Sequence, residues 1–226
     1  MDIFERNKKV AINRWRTIHQ KERQLVPNDK QSNLIKAALC GFLAGDGSVQ
    51  KRKEKTFMHY QVDFFPDDER MKNTYISMIK RIYKKNPSTT VRDNVFNIRI
   101  SSKIIVEDLL SYSNFGVKNW SLPKNIIIDQ KGKINWLKAF FSAEGYVGKQ
   151  HIKVQSINKQ GLLDVVKMLN ELEIENHFYE YYPKKENTST VFIIMITKKE
   201  ARKKYLEIVG FWHSKKTLAL KKALNL

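Results

Sequence analysis

Leu39-Cys40-Gly41-Phe42-Leu43-Ala44-Gly45-Asp46-Gly47 and Leu137-Lys138-Ala139-Phe140-Phe141-Ser142-Ala143-Glu144-Gly145 are two spellings of one pattern. Each is an apolar run studded with small residues and closed by an acid and a glycine, and Glu144 follows Asp46 by 98 positions. The longer runs that hold them, residues 34–45 and 134–145, have few polar interruptions, which predicts buried helices. Gly41, Ala44 and Gly45 in the first, and Ala139, Ser142 and Ala143 in the second, recur about one turn apart and make a face that permits close backbone approach. Two such helices packed together bring Asp46 and Glu144 to one place. Either motif alone reads equally well as an acid beyond a helix that glycine caps. Recurrence weighs against that bland reading, because an acid at a helix C-terminus opposes the helix dipole and two copies ask for a compensating cation. Paired carboxylates supply the hard oxygen ligands that Mg²⁺ prefers, and Gly47 and Gly145 let the chain turn sharply with no Cβ in the way.

The pattern around the two runs repeats as well. Strand-like stretches at 57–65 and 95–101 flank a helical one at 67–84 after the first run. After the second come strand-like 152–156, helical 160–172, strand-like 177–182 and 190–197, and helical 199–209. A period of 98 residues is too long for a solenoid and fits two copies of a small half. The predicted organisation is a basic helical extension at 1–33, a first half at 34–118, a linker at 119–132 that contains Pro123, Lys124 and Asp129-Gln130-Lys131-Gly132, and a second half at 133–226. Within the extension, Trp15 among Val10, Ile12 and Ile18 favours packing against the domain over service as a DNA-binding arm.

Composition narrows the function classes. The 226 residues are 42% hydrophobic, enough for a core, and 42 Lys and Arg stand against 23 Asp and Glu, a formal net charge of +19. Such an excess points to a polyanion, since cations that neutralise phosphates release condensed counterions. No run approaches the roughly 20 apolar residues of a membrane span, and no signal-peptide core opens the chain. Cys40 is the one cysteine and lies in an apolar run, so a disulfide framework and a Cys-based zinc site are both excluded. The compartment expected is the cytoplasm, with an organelle as the alternative. The histidines, His19, His59, His151, His177 and His213, are scattered without zinc-ligand spacing, and no G-x-x-x-x-G-K-[ST] phosphate loop occurs.

Several polar stretches have the character of nucleic-acid-reading strands. Gln50, Lys51, Arg52 and Lys53 follow the first motif, and Lys149, His151, Lys153 and Gln155 alternate with Gln150, Ile152 and Val154 after the second. Asn97, Arg99 and Ser101 alternate with Phe96, Ile98 and Ile100 in the same way, and Tyr182, Lys184 and Lys185 extend the set at a hairpin. Arg and Lys bond guanine edges, Gln and Asn bond adenine edges, and the remaining cations hold phosphates. For any one of these side chains a solvated strand face is an equal reading.

Both nine-residue runs resemble the signature of the LAGLIDADG homing endonucleases in their monomeric, two-motif form. Cys40, Phe42, Leu43, Ala44 and Gly45 depart from the family spelling in the first copy, and Lys138, Ala139, Phe140, Phe141, Ser142 and Glu144 in the second. Both copies keep the terminal acid and glycine, and the resemblance covers about residues 34–209. It implies an α+β fold of two pseudo-symmetric αββαββα halves, with the motif helices packed at their interface and two saddle-shaped antiparallel sheets forming a DNA-binding groove. The implied partner is double-stranded DNA, bound by a monomer with an internal pseudo-twofold axis. The implied reaction is hydrolysis of one phosphodiester in each strand, with Asp46 and Glu144 as catalytic metal ligands and Gly45 and Ala143 completing the metal set. Mg²⁺ is the expected ion, and Mn²⁺ or Ca²⁺ could occupy the same sites. Lys159 is the best match to the family's water-ordering lysine, with Lys103 and Lys198 competing. The alternative is an RNA maturase or a non-cleaving nucleic-acid-binding protein of the same fold.

Overall fold

In the computed structural model, which describes residues 3–24, 26–184 and 188–226, the two motif runs are helices α2 (Lys30–Asp46) and α5 (Gln130–Glu144). They begin alike as well as end alike. Asp29 and Asp129 cap them in extended conformation, and each carboxylate accepts from the backbone N–H three residues on, at Ser32 and Gly132. Both helices are apolar around most of their circumference because both are buried. Ala37, Ala38, Leu39, Cys40 and Phe42 on one, and Trp136, Leu137, Ala139, Phe140 and Phe141 on the other, have no exposed surface.

The helices pack backbone to backbone. A Cβ added at Gly41 would lie 2.4 Å from the Trp136 carbonyl oxygen and 2.9 Å from Ala139 Cβ, and one added at Gly45 would lie 2.6 Å from Ala143 Cβ. No side chain fits between them at these two levels.

Each motif helix feeds a four-stranded antiparallel sheet. In the first half β1 (Gly47–Glu54) and β2 (Phe57–Phe64) form a hairpin, α3 (Glu69–Tyr83) follows, and β3 (Ser88–Arg92) and β4 (Val95–Ile100) complete the sheet before α4 (Lys103–Tyr112). The second half repeats this order with β5 (Tyr146–Val147), β6 (Ile152–Ser156), α6 (Lys159–Glu171), β7 (His177–Tyr181), β8 (Val191–Ile196) and α7 (Lys199–Ile208). Strand orders are β1-β2-β4-β3 and β5-β6-β8-β7, the same topology twice, so the chain is an α+β protein of two related halves. Register directs the apolar set inward: Val62 pairs with Ile100 and Phe64 with Ile98, while Ile152 pairs with Ile196 and Val154 with Ile194.

The basic run after the first motif is the strand expected, β1. Three features depart from the sequence reading. Residues 103–112 form a helix that the apolar pattern did not single out. A further helix, α8 (Ser214–Leu224), follows the repeat. The opening helix, α1 (Ile3–Gln24), does form, but Ile3, Val10 and Trp15 are 76%, 61% and 60% exposed instead of packed as expected. At roughly 100° per residue Ile3, Val10, Trp15 and Ile18 fall within about 140° of one another, so the helix has an apolar face, and that face is left largely exposed. An ion pair from Arg23 to Glu107 ties it to α4.

The close approach of α2 and α5 makes a direct prediction. Gly41→Ala gains helix propensity of about 1 kcal/mol, yet must force the helices apart, so a net loss of about 1–3 kcal/mol is expected in urea unfolding. A variant as stable as the parent would contradict backbone-level packing.

Candidate active site and nucleic-acid interface

At the ends of the motif helices the chain turns straight into strand. Gly47 (φ −129°, ψ 172°) and Gly145 (φ −72°, ψ 144°) are both extended, so neither is required for a left-handed turn. Space is the reason for them: a Cβ at Gly47 would lie 2.5 Å from Leu43 Cα, and one at Gly145 would lie 2.4 Å from the Phe141 carbonyl oxygen.

The helix ends lie side by side. A Cβ at Gly45 would be 3.4 Å from the Glu144 backbone nitrogen and 3.6 Å from its Cβ. Asp46 and Glu144 therefore share one half-buried site although 98 residues separate them. Burial, followed by the charge of Asp46, pushes the Glu144 carboxyl up to about 7. Burial also raises Asp46, with Asp67 adding to the effect and Lys216 opposing it. Two ionised acids at two helix C-termini leave an excess of negative potential that favours a cation.

Lys216, on α8, is the site residue that sequence reasoning missed. Its ammonium donates to the carbonyl oxygens of Ser142 and Ala143, each at 2.6 Å, and so caps the last turn of α5 within electrostatic reach of both acids. Burial lowers its pKa, while Asp46, Asp67, Glu144 and Asp68 act in the opposite direction. The segment before it is anchored to both halves. Trp212 N–H donates to Ser142 Oγ at 2.7 Å, its ring packs 5.3 Å from that of Phe42, buried His213 contacts Asp67 at 3.1 Å, and Ser214 N–H donates to Asp68 at 3.1 Å. The sequence signal for this helix is the pair Leu220 and Leu224, buried one turn apart among lysines.

Lys159 lies elsewhere. It opens α6 after β6, and its ammonium pairs at 2.6 Å with Glu180 on β7, the edge strand farthest from β5, and lies 5.4 Å from the centre of the Phe192 ring. The charges that act on it are those of Glu180 and Tyr182, and neither motif acid is among them.

The donor set suits a hard cation. Among the described residues no cluster of three or more His, Cys, Asp or Glu side chains exists. What converges is two carboxylates, each preceded in sequence by a residue, Gly45 or Ala143, that has only a backbone carbonyl to offer, and oxygen donors of both kinds are those that Mg²⁺, Mn²⁺ or Ca²⁺ accepts alongside water and phosphate.

The sheets present polar outer faces, and strand register sorts the predicted contact residues between faces. Across the first sheet, Ser48 pairs with Asp63 and Asp63 with Arg99, so Ser48, Gln50 and Arg52 share the outer face with Asn97, Arg99 and Ser101. Arg99 Nε donates to Asp63 at 2.6 Å and Gln61 donates to the same carboxylate at 2.5 Å, which holds these side chains in order. Lys51 and Lys53 have the opposite parity. Lys51 turns to the helix side, 3.7 Å from Glu107, with its ammonium 5.9 Å from the Tyr60 ring centre, because adjacent residues of a strand cannot share a face.

In the second sheet Lys153 and Gln155 point outward beside Tyr146 and Tyr179, and half-buried His151 lies 5.7 Å from the Tyr146 ring. Lys149, Tyr182 and Lys184 are exposed at the sheet's margins, with the Tyr182 hydroxyl donating to Glu180 at 2.5 Å. Lys185 lies outside the described residues.

The family model for the LAGLIDADG-like domain matches residues 132–210. The homing endonuclease I-DmoI in complex with DNA and Mn superposes with a TM-score of 0.63 at 20% identity, over 79% of this chain and 97% of that one. Residues 132–210 are a LAGLIDADG-like domain, and most of the chain shares the fold of I-DmoI. I-DmoI in complex with DNA and Ca matches at 18% identity and a TM-score of 0.62, over 84% of this chain and 98% of that one. Full-length DUF199/WhiA from Thermatoga maritima shares the LAGLIDADG fold at 13% identity and a TM-score of 0.59, over 92% of this chain and 65% of that one. Among curated sequences, the replication factor C small subunit of Methanocaldococcus jannaschii is 24% identical over 208 residues, 90% of this chain. The chain spans only 11% of the length of that relative. Among the described residues, no helix is long and apolar enough to cross a membrane.

The raised carboxyl of Glu144 sets a pH dependence. A group whose pKa is about 7 folded and near 4.5 unfolded favours the fold when protonated; that contribution is complete below 4.5 and is lost as pH rises through 7. In EDTA, Glu144→Gln should therefore unfold at higher temperature than the parent at pH 8, by on the order of 1 kcal/mol after allowance for partial exposure, and at the same temperature near pH 4. A variant that is less stable at pH 8 would contradict the electrostatic reading.

Proposed function

We propose that this protein is a site-specific homing endonuclease that breaks both strands of a long DNA target by divalent-metal-dependent hydrolysis. The observation that carries the reading is the convergence of Asp46 and Glu144 at the ends of two helices in backbone contact, between two sheets with polar outer faces. A bound divalent ion supplies Lewis-acid stabilisation of the attacking and leaving oxygens. The chain's own residues do the rest. Asp46 and Glu144 fix the position of that charge on the pseudo-twofold axis, where the scissile phosphates of the two strands face each other across the minor groove. Gln50, Arg52, Asn97, Arg99, Ser101, Lys153 and Gln155 lie on the duplex and set its register. The I-DmoI complexes with DNA and Mn or Ca lend support by likeness of fold.

Binding without cleavage, to DNA or as an RNA maturase, is the second reading, and the likeness to DUF199/WhiA, a name that denotes no nuclease, favours it. Against it stand the two acids, which repel phosphate and give a pure binder no advantage.

Incubation of the full chain with a DNA library in Mg²⁺ or EDTA, followed by sequencing of ends, separates the two. The endonuclease reading requires paired breaks at one site in Mg²⁺ and none in EDTA, with activity reduced by at least about 100-fold in Asp46→Asn and Glu144→Gln. Undiminished cutting by those variants, or binding with no cutting, would overturn it. Register adds a finer expectation for DNA affinity. Arg52→Ala should lower the slope of log K against log salt by about one unit, whereas Lys51→Ala, on the helix side, should change it little.

A further inference from the structure

The ammonium of Lys216 already bonds a carbonyl oxygen that the proposed metal set includes. Ala143 contributes only a backbone carbonyl to the proposed metal set, and that oxygen already accepts from Lys216 Nζ at 2.6 Å, as does the carbonyl of Ser142. Among the described residues no lysine hydrogen-bonds a carbonyl in the last turn of α2, whereas Lys216 bonds two in the last turn of α5. The asymmetry is built in. Trp212 bonded to Ser142, His213 set between Asp67 and Asp68, and Ser214 bonded to Asp68 fix the start of α8, so the lysine reaches the site from an anchored backbone and is not a wandering surface chain.

From this geometry we infer that Lys216 is a tethered competitor of the divalent ion: its ammonium balances Asp46 and Glu144 while the site holds no metal, and an incoming ion must displace it from the Ala143 carbonyl. The inference rests on the endonuclease reading for the existence of a metal site, and it adds a regulation of that site that the two motifs do not specify. Two cations drawing on the same pair of carboxylates are linked reciprocally, so removal of one strengthens binding of the other. A threshold for ion occupancy follows. Lys216 is on this account a positioning and regulatory group, with no contact to the reacting phosphate.

The test reads metal directly. Free Mn²⁺ is followed by electron paramagnetic resonance as the full-length chain is titrated, without DNA and without reference to cleavage. Lys216→Met should bind Mn²⁺ about tenfold more tightly than the parent, Lys216→Arg should stay within about threefold of it, and Lys215→Met, which removes the same charge from an exposed neighbour, should leave affinity unchanged. Equal affinity of Lys216→Met and the parent would overturn the inference and leave the metal site standing. Absence of Mn²⁺ binding in every form would overturn both the inference and the metal-dependent reading. A second measurement needs no variant. Acylation of the parent's lysines, read by mass spectrometry, should show Lys216 becoming more reactive as Mn²⁺ saturates, and reactivity that does not respond to bound Mn²⁺ would equally contradict displacement.

Discussion

Everything in this molecule hangs on how closely α2 and α5 approach. Gly41 against the Trp136 carbonyl and Gly45 against Ala143 remove the side-chain layer that ordinarily separates packed helices. The helices then behave almost as one rod with two C-termini, and both termini carry an acid. A methyl group at either glycine would widen the gap, and the same movement would separate Asp46 from Glu144. Packing and function are therefore set by the same atoms: the small residues that let the core close also fix the spacing of the carboxylates.

That arrangement works against the stability of the fold in the absence of a cation. Each acid sits at the negative end of a helix, each is half-buried, and burial together with the charge of Asp46 holds the Glu144 carboxyl near 7. Lys216 offsets part of this from outside the repeat, reached through a segment that crosses from the second half to α3 of the first. The C-terminal helix is thus more than an appendage. It neutralises the site and clasps the two halves together at His213, Asp67 and Asp68.

Much of this was legible in the sequence, for identifiable reasons. The acid-glycine ending, read twice at a fixed interval, led to the helix pair and to Asp46 and Glu144, because small-residue faces and helix ends are local signals. Strand alternation placed Asn97, Arg99, Ser101, Lys153 and Gln155 on the outer face correctly, since period two follows from backbone geometry alone. The same rule divides Gln50-Lys51-Arg52-Lys53 between two faces, a parity that the uniform charge of the run masks. Lys216 was invisible for a different reason. It lies beyond the repeat, and nothing in its neighbourhood announces contact with residues more than 70 positions away. Trp15 misled in the opposite direction, since an apolar helix face suggests burial, and this one is left largely exposed. Lys159 followed family position, but its ammonium pairs with Glu180 on the far edge strand of the sheet.

The central claim is that two acids far apart in sequence form one cation site. Anomalous diffraction from crystals of the full chain grown with Mn²⁺ and a bound duplex tests it most directly. A manganese peak within roughly 2.0–2.6 Å of carboxylate oxygens from both Asp46 and Glu144 is the predicted result. Manganese bound elsewhere, or bound by one of these acids with the other turned away, would contradict it.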